Sequence, residues 1–316
     1  MAEARTRSDH DDGLTTWTAL VVVVAFVVAV IVWSGMTKVE HSSMLVADDP
    51  EQTQIAQTPE PVDPNVVPVS TVLAPAVAPW APGTKIQSTD HYPQPGEQFT
   101  AQSCTVAFSF TGEDGRAFAV TAGHCGHEGH LVWPTNASTA VDYATEAGRF
   151  IYSGMYSAPT PELPGGVDIG IIEITDPTRA MEVVGDAIPT GLVVQLAQPL
   201  VNVCKTGATT GYTCGLFDQA NSIQLVINDV GEEVETRGDI AAVCAAKGDS
   251  GGPVFTEVNG RAAIIGVVSG TEAGAPQTDC SNPDESNLIM SYASMEQALA
   301  VIDVIVGNAQ WVEQEW

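Results

Sequence analysis

Three short segments hold residue types that together could activate a serine hydroxyl. TAGHC contains His124, VDIGII contains Asp168 and GDSGGP contains Ser250. A serine hydroxyl is a weak nucleophile at neutral pH, but a histidine with a pKa of about 6.5 can take its proton during attack on a carbonyl. A buried carboxylate can hold the imidazole in the required tautomer. These residue types therefore fit covalent catalysis by a serine.

The strings TAGHC and GDSGGP resemble the histidine and serine signatures of the chymotrypsin-like serine proteases. The order His, Asp, Ser and the intervals of 44 and 82 residues also suit that family. The resemblance implies that Ser250 is the nucleophile, His124 the general base and acid, and Asp168 the carboxylate that orients His124. It also implies that the backbone N–H groups of Gly248 and Ser250 stabilise the oxyanion.

A second aspartate competes for the third role, because Asp142 lies in the similar string VDYA. Asp168 is preferred since it opens an apolar, strand-like run after a Pro-Gly-Gly turn. Only 18 residues separate Asp142 from His124, which is a short path around a barrel.

Metal binding is an alternative use of the histidine segment, because His124, His127 and His130 recur every third residue beside Cys125. Histidines at that spacing suit a helix face, whereas this stretch is broken by glycine and follows a strand-like run. We therefore expect His127 and His130 to be loop residues, and we expect no metal and no cofactor.

Six cysteines allow 15 connectivities, and their spacing alone does not select one. The string VCKTGATTG is similar to one in the bacterial secreted branch of the family, which includes α-lytic protease and the streptogrisins. That resemblance implies the pairs Cys104–Cys125, Cys204–Cys214 and Cys244–Cys280, and so an oxidising location. An arginine of that branch is replaced by Lys205, so we expect a buried Lys205–Asp249 pair.

The sequence defines the substrate pocket less well than it defines the catalytic residues. Trypsin-like pockets carry an aspartate about six residues before the nucleophile, and this chain has Cys244 there, so a basic P1 preference is not supported. The expected pocket residues are Ala245, Ala246, Lys247, Ser269, Gly270 and Thr271. The small size of all but Lys247 favours an open apolar pocket for a medium side chain, and either Lys247 or Glu272 could add a charge at its rim.

The elements that must position these residues are predicted to be all-β. Short apolar runs such as AFAVTAG, DIGIIEI and AAIIGVVSG alternate with turn signals after residue 96. Met295, Leu299, Ile302 and Val306 share one helical face. The resemblance implies a protease domain over 96–316. It comprises two antiparallel β-barrels, over about 96–190 and 191–292, and a C-terminal helix over about 293–307.

The N-terminal part of the chain differs in composition from the rest. Residues 14–36 are apolar, lack charges and have tryptophans near both ends of the run, as a membrane helix does. A cleaved signal peptide and a buried core helix are the alternatives. Two arginines precede this segment and one lysine follows closely, so residues 1–13 are expected in the cytoplasm and the protease domain outside. Residues 37–95, rich in proline and acid, are expected to form an extended linker, whose last part could instead belong to the folded domain.

Charge excludes some partners. The chain has 39 acidic and 11 basic residues, a net charge of −28, which does not provide the basic patch that nucleic acid requires. The expected partner is a peptide or protein substrate of a monomeric protease domain tethered to a membrane. The alternatives are a catalytically silent binding domain and an esterase that uses the same triad.

Overall fold

The computed structural model describes residues 69–185, 189–227, 231–271, Cys280 and 289–314. All of them belong to one compact unit, Pro64–Trp316. In these ranges no helix has the length and apolar character needed to cross a bilayer. The predicted membrane segment 14–36 and the N-terminal residues 1–13 lie outside the described residues.

A first sheet carries the histidine and aspartate segments. Its strands are β2 (Lys85–Thr89), β3 (Gln102–Thr105), β4 (Phe108–Thr111), β5 (Ala117–Thr121), β6 (Leu131–Pro134), β7 (Gly148–Ser153) and β8 (Gly170–Ile174). They pair in the order β3-β2-β6-β7-β8-β5-β4, and all these pairings are antiparallel. The sheet curls, and its first and last strands in this order follow one another in the chain.

A second sheet carries the serine segment. Its strands are β1 (Thr71–Pro75), β9 (Gly191–Gln195), β10 (Asn202–Gly207), β11 (Gly211–Ile227), β12 (Glu233–Ala242), β13 (Pro253–Val258), β14 (Arg261–Thr271), β15 (Met290–Ser294) and β16 (Trp311–Gln314). Strand β13 pairs with both β10 and β14, so six of the strands close into a barrel. The remaining strands, β9, β1 and β16, extend from β14.

Apolar side chains fill each curled sheet and the space between them. One buried cluster lies within the first sheet around Ile86 and Phe150, and a second lies within the barrel around Val203 and Tyr292. A third cluster joins side chains of both sheets to the helix. Burial of this apolar surface holds the two sheets together.

The helix α1 spans Met295–Ile305, inside the predicted range 293–307. Ser294 caps it: its hydroxyl accepts a hydrogen bond from the N–H of Gln297, whose side chain accepts one from the N–H of Ser294. The side chains of Met295, Ala298 and Ile302 are buried against the sheets. The predicted apolar face is therefore the packed face.

The predicted end of the linker at residue 95 is too late, because strands β1 and β2 lie inside the range 37–95. Strand β1 pairs with β9 on one side and with β16 on the other, and its Val72 is buried. Trp80 is also buried, and it exchanges two hydrogen bonds with Ser109 of the first sheet. The prolines misled the prediction: Pro75 ends strand β1, a position at which proline costs no essential ladder bond.

Candidate active site

His124 and Asp168 are brought together by two paired strands. His124 lies in a turn of 3₁₀ helix, Gly123–Cys125, directly after β5, and Asp168 lies just before β8. Strands β5 and β8 are antiparallel neighbours, with Thr121 opposite Gly170. The residue that follows one strand therefore meets the residue that precedes the other.

The Asp168 carboxylate holds His124 through both of its oxygens. Oδ2 lies 2.7 Å from Nδ1 of the imidazole, and Oδ1 accepts a 2.8 Å hydrogen bond from the backbone N–H of His124. Both side chains are buried, Asp168 with 1% of its surface exposed. Because an ionised carboxylate only accepts hydrogen bonds, Nδ1 carries the proton and Nε2 is left as the basic atom.

Burial and the mutual contact have opposite effects on the pKa values of His124 and Asp168. Burial by itself lowers the pKa of the His124 imidazole, but the adjacent Asp168 carboxylate outweighs burial and raises that pKa above its ordinary value. Burial raises the pKa of Asp168, and the contacts with His124 and Ser269 outweigh it and lower that pKa. Asp168 is therefore ionised at neutral pH, and His124 is more basic than a free imidazole.

The competing aspartate, Asp142, lies in an exposed turn. Its Oδ2 accepts hydrogen bonds from the N–H groups of Ser138 and Thr139 and from the Thr139 hydroxyl. The structure thus pairs Asp168 with His124 and uses Asp142 to close a local turn.

Ser250 lies against the histidine segment through its backbone. Its carbonyl accepts a 2.8 Å hydrogen bond from the N–H of Thr105 and lies 3.9 Å from Sγ of Cys125, the neighbour of His124. The next residue, Gly251, has a φ of 82°, and a Cβ there would lie 2.0 Å from the Thr121 hydroxyl. Glycine at this position therefore lets the serine loop approach the histidine strand.

The N–H groups around Ser250 divide into two sets. Those of Asp249, Gly251 and Gly252 donate to backbone carbonyls. Those of Gly248 and Ser250 donate to no backbone carbonyl among the described residues. The two N–H groups expected to stabilise the oxyanion are therefore the two that the loop leaves unused.

The predicted pair of Lys205 and Asp249 is formed and fully buried. Lys205 Nζ lies 2.8 Å from Oδ2 of Asp249, and both side chains have 0% of their surface exposed. Nζ also bonds to the Thr210 hydroxyl and donates to the carbonyl of Gly211. Asp249 Oδ1 accepts the N–H groups of Thr209 and Thr210. The pair thus ties the β10–β11 turn to the residue before Ser250.

Opposing influences act on the ionisation of this pair. Burial lowers the pKa of the Lys205 ammonium, an effect that Asp249 opposes. Burial raises the pKa of Asp249, but Lys205 and Thr210 outweigh it and hold that pKa below its ordinary value. Both groups are charged at neutral pH because each supplies the other's counter-charge.

All six cysteines form disulfides, and the pairs are those that the resemblance implied: Cys104–Cys125, Cys204–Cys214 and Cys244–Cys280. The first bond ties β3 to the residue after His124. The sulfur atoms of Cys104 and Cys125 lie near the His124 ring, but they are bonded to each other and offer no thiolate to a metal.

The expected pocket residues fall into different environments. Ala245 is buried, Ala246 is half-buried and Lys247 is exposed. Gly270 and Thr271 are half-buried at the end of β14, whereas the Ser269 hydroxyl is directed at Asp168. Glu272 lies outside the described residues.

A separate cleft of about 720 Å³ opens beside His124. It is lined by the segments Ser88–His91 and Gln98–Thr100 and by Gln102, His124, Gly126, His127 and His130. The His127 ring stacks on Tyr156, with centroids 3.7 Å apart, and lies 4.9 Å from the His130 ring. His127 and His130 are loop residues, as expected.

Two hydrogen bonds at the site carried no sequence signal, although Ser269 itself was among the expected pocket residues. The Ser269 hydroxyl, 101 residues from Asp168 in the chain, donates to that carboxylate. The Thr105 hydroxyl donates to the carbonyl of Gly248, 143 residues away. Only the fold brings the partners together, so no local string could identify these two contacts.

Comparison with known proteins places the chain in a family. The family model for Trypsin matches residues 96–286. Streptogrisin-C of Streptomyces griseus is 31% identical over 155 residues, 47% of this chain and 29% of that protein. Serine protease 2 of Streptomyces fradiae is 27% identical over 167 residues, 53% of this chain and 86% of that protein.

Protease A of Thermobifida fusca is similar in structure, with 23% identity and a TM-score of 0.44, over 74% of this chain and 98% of that one. The match spans less than a third of the length of streptogrisin-C. The family model alone covers more than half of the chain. This chain belongs to the trypsin family of serine proteases.

Proposed function

We propose that the protein is a serine endopeptidase in which Ser250, His124 and Asp168 form the catalytic triad. The observation that carries the proposal is the buried His124–Asp168 pair, hydrogen bonded at 2.7 Å, beside the loop that holds Ser250. Family membership supports the same activity.

In the proposed reaction, Oγ of Ser250 attacks the peptide carbonyl carbon while Nε2 of His124 takes the hydroxyl proton. The Asp168 carboxylate stabilises the imidazolium that forms. The N–H groups of Gly248 and Ser250 receive the negative charge that develops on the carbonyl oxygen. His124 then gives its proton to the leaving amine, and an acyl group remains on Ser250. In the second half, His124 takes a proton from water as the water attacks the acyl carbon. His124 then returns the proton to Oγ of Ser250 as the acid product leaves.

The charge of the protease domain favours basic substrates. From residue 96 onward, 28 acidic residues face 7 basic ones. A field of one sign draws oppositely charged ligands toward a protein and repels like-charged ones, most strongly at low salt. Peptides with basic residues that flank the cleaved bond beyond P1 are therefore the proposed substrate class.

We further propose that residues 14–36 anchor the protein in a membrane with the protease domain outside. The apolar run and its flanking tryptophans support the anchor, and the three disulfides support an oxidising location for the domain. An external protease applied to intact cells tests this topology, because it should reach the protease domain without lysis. A domain that is reached only after lysis contradicts it.

The activity is tested with a fluorophosphonate probe and a peptide library on the wild type and Ser250→Ala. We expect labelling and peptide cleavage by the wild type and neither by the variant. A folded wild type without labelling would indicate a silent binding domain. Labelling with ester hydrolysis and no peptide cleavage would indicate an esterase.

A further inference from the structure

Two threonine hydroxyls hold the carbonyl groups on either side of Gly248. The Thr209 hydroxyl donates to the carbonyl of Lys247 at 2.5 Å, and the Thr105 hydroxyl donates to the carbonyl of Gly248 at 2.8 Å. The Lys247 carbonyl and the Gly248 N–H belong to the same planar peptide unit. The first hydrogen bond therefore fixes the direction of that N–H.

Gly248 needs such support because of its backbone conformation. Its φ is 96°, and a Cβ would lie 2.4 Å from the Thr209 hydroxyl, so only glycine fits. Glycine has few steric barriers, and the peptide planes beside it rotate easily. Without other contacts, the Gly248 N–H would sample directions away from the oxyanion.

Thr105 is itself held in place from several sides. It is fully buried at the end of β3, and its hydroxyl accepts the N–H of Ala208 at 3.0 Å. Its own N–H donates to the carbonyl of Ser250, and its carbonyl accepts the Thr121 hydroxyl. Thr105 is therefore a rigid contact from the first sheet to the loop of the second sheet.

Thr209 approaches the same loop from the opposite side. It lies in the turn between β10 and β11, where its N–H donates to Oδ1 of Asp249 at 2.9 Å. The side chain is exposed, so its replacement removes one hydrogen bond without opening the core. The buried Lys205–Asp249 pair fixes this turn. The hydrogen bond from the Thr209 hydroxyl then connects the fixed turn to the Lys247–Gly248 peptide.

We propose that Thr105 and Thr209 are positioning residues that aim the Gly248 N–H at the developing oxyanion. This inference rests on the proposed function. Neither hydroxyl is assigned a contact with the substrate, so their removal weakens binding of the transition state and leaves binding of the ground state unchanged. The expected signature is a loss in kcat with a constant KM.

The test compares Thr209→Val and Thr105→Val, which lose the hydroxyl at similar volume, with Thr209→Ser and Thr105→Ser, which keep it. Thr256→Val is the matched control, because the Thr256 hydroxyl also donates to a backbone carbonyl, that of Asn202, at 2.7 Å. For each variant, kcat, KM and the melting temperature are measured. The inhibition constant of a peptide aldehyde, which forms a tetrahedral oxyanion adduct with the serine, is measured as well.

We expect each valine variant to lose about tenfold or more in kcat, a fraction of the loss that follows complete removal of an oxyanion donor. Aldehyde binding should weaken by a similar factor while KM stays within about twofold. The serine variants should stay near the wild type, and Thr256→Val should keep its kcat. If Thr105→Val does not fold, the kcat and KM of Thr209→Val, whose side chain is exposed, still test the inference.

Valine variants with an unchanged kcat, or serine variants that lose as much as the valine variants, would overturn the inference. Those results require an active wild type, so they leave the proposed function intact. A wild type that neither cleaves peptides nor reacts with fluorophosphonate would overturn the proposed function and this inference together.

Discussion

The Ser269 hydroxyl lies 2.5 Å from Oδ2 of Asp168, the same oxygen that accepts the hydrogen bond from His124. Asp168 therefore has three donors around its two oxygens: this hydroxyl, the His124 ring and the His124 backbone N–H. A carboxylate so surrounded stays ionised in spite of burial, and it can stabilise only one orientation of the imidazole. The relationship explains why the pKa of His124 is raised although the ring is buried.

The first prediction concerns Asp168→Asn. We expect kcat to fall about 10⁴-fold, the effect typical of this change in serine protease triads, because the amide favours the wrong imidazole tautomer. In the wild type His124 must be neutral to accept a proton, so kcat/KM should fall as the pH drops through its raised pKa. Loss of the carboxylate should move that acidic limb to lower pH. A pH profile of kcat/KM measures both effects, and a limb that does not move would contradict the assignment.

The second prediction concerns Lys205→Met. This change leaves the Asp249 charge buried without its cation, and we expect a loss of about 3–5 kcal/mol in the free energy of unfolding together with loss of activity. Denaturant titration measures the stability. The double variant Lys205→Met/Asp249→Asn should be more stable than Lys205→Met.

The pH dependence of the same variant gives a second test. Loss of the Lys205 ammonium raises the pKa of Asp249 relative to the wild type, so lowering the pH protonates Asp249 sooner in the variant and removes the unpaired charge. The stability difference from the wild type should therefore shrink between about pH 7 and pH 4. A difference that grows as the pH falls would contradict the pairing.

Features that lie within a short stretch of the sequence could be predicted, whereas contacts between residues far apart in the chain could not. The histidine and serine segments are short strings whose function could be recognised, and the helix had a continuous apolar face. Strand β1 could not be recognised, because it is short, prolines surround it, and its partners β9 and β16 lie more than 100 residues away. The contacts of Ser269 and Thr105 could not be predicted either, because their partners lie more than 100 residues away.

The third prediction concerns this unpredicted N-terminal part of the fold. Trp80→Ala should lower the free energy of unfolding by about 3–5 kcal/mol, because a large buried side chain is lost from the first sheet. A chain that begins at residue 82 also lacks strand β1, and we expect it to be less stable than one that begins at residue 64. Thermal unfolding of the two truncated chains compares them directly. Equal melting temperatures would show that residues 64–81 are dispensable.

The fourth prediction concerns substrate charge. Two peptides with the same cleaved bond, one flanked by lysines and one by glutamates, should differ in kcat/KM at low ionic strength in favour of the lysine peptide. The difference should decrease as salt rises from about 20 mM to 0.5 M, because screening shortens the reach of the acidic surface. Rates that depend on neither substrate charge nor salt would contradict the proposed preference.

The central claim is that Ser250 forms an acyl-enzyme with help from His124 and Asp168. The most direct measurement is a rapid-quench experiment with an activated ester, followed by peptide mass spectrometry of the trapped chain. The account predicts a burst of about one leaving group per chain, an acyl group on the peptide that contains Ser250, and neither in Ser250→Ala. An acyl group on another residue, or hydrolysis that survives in Ser250→Ala, would contradict the account.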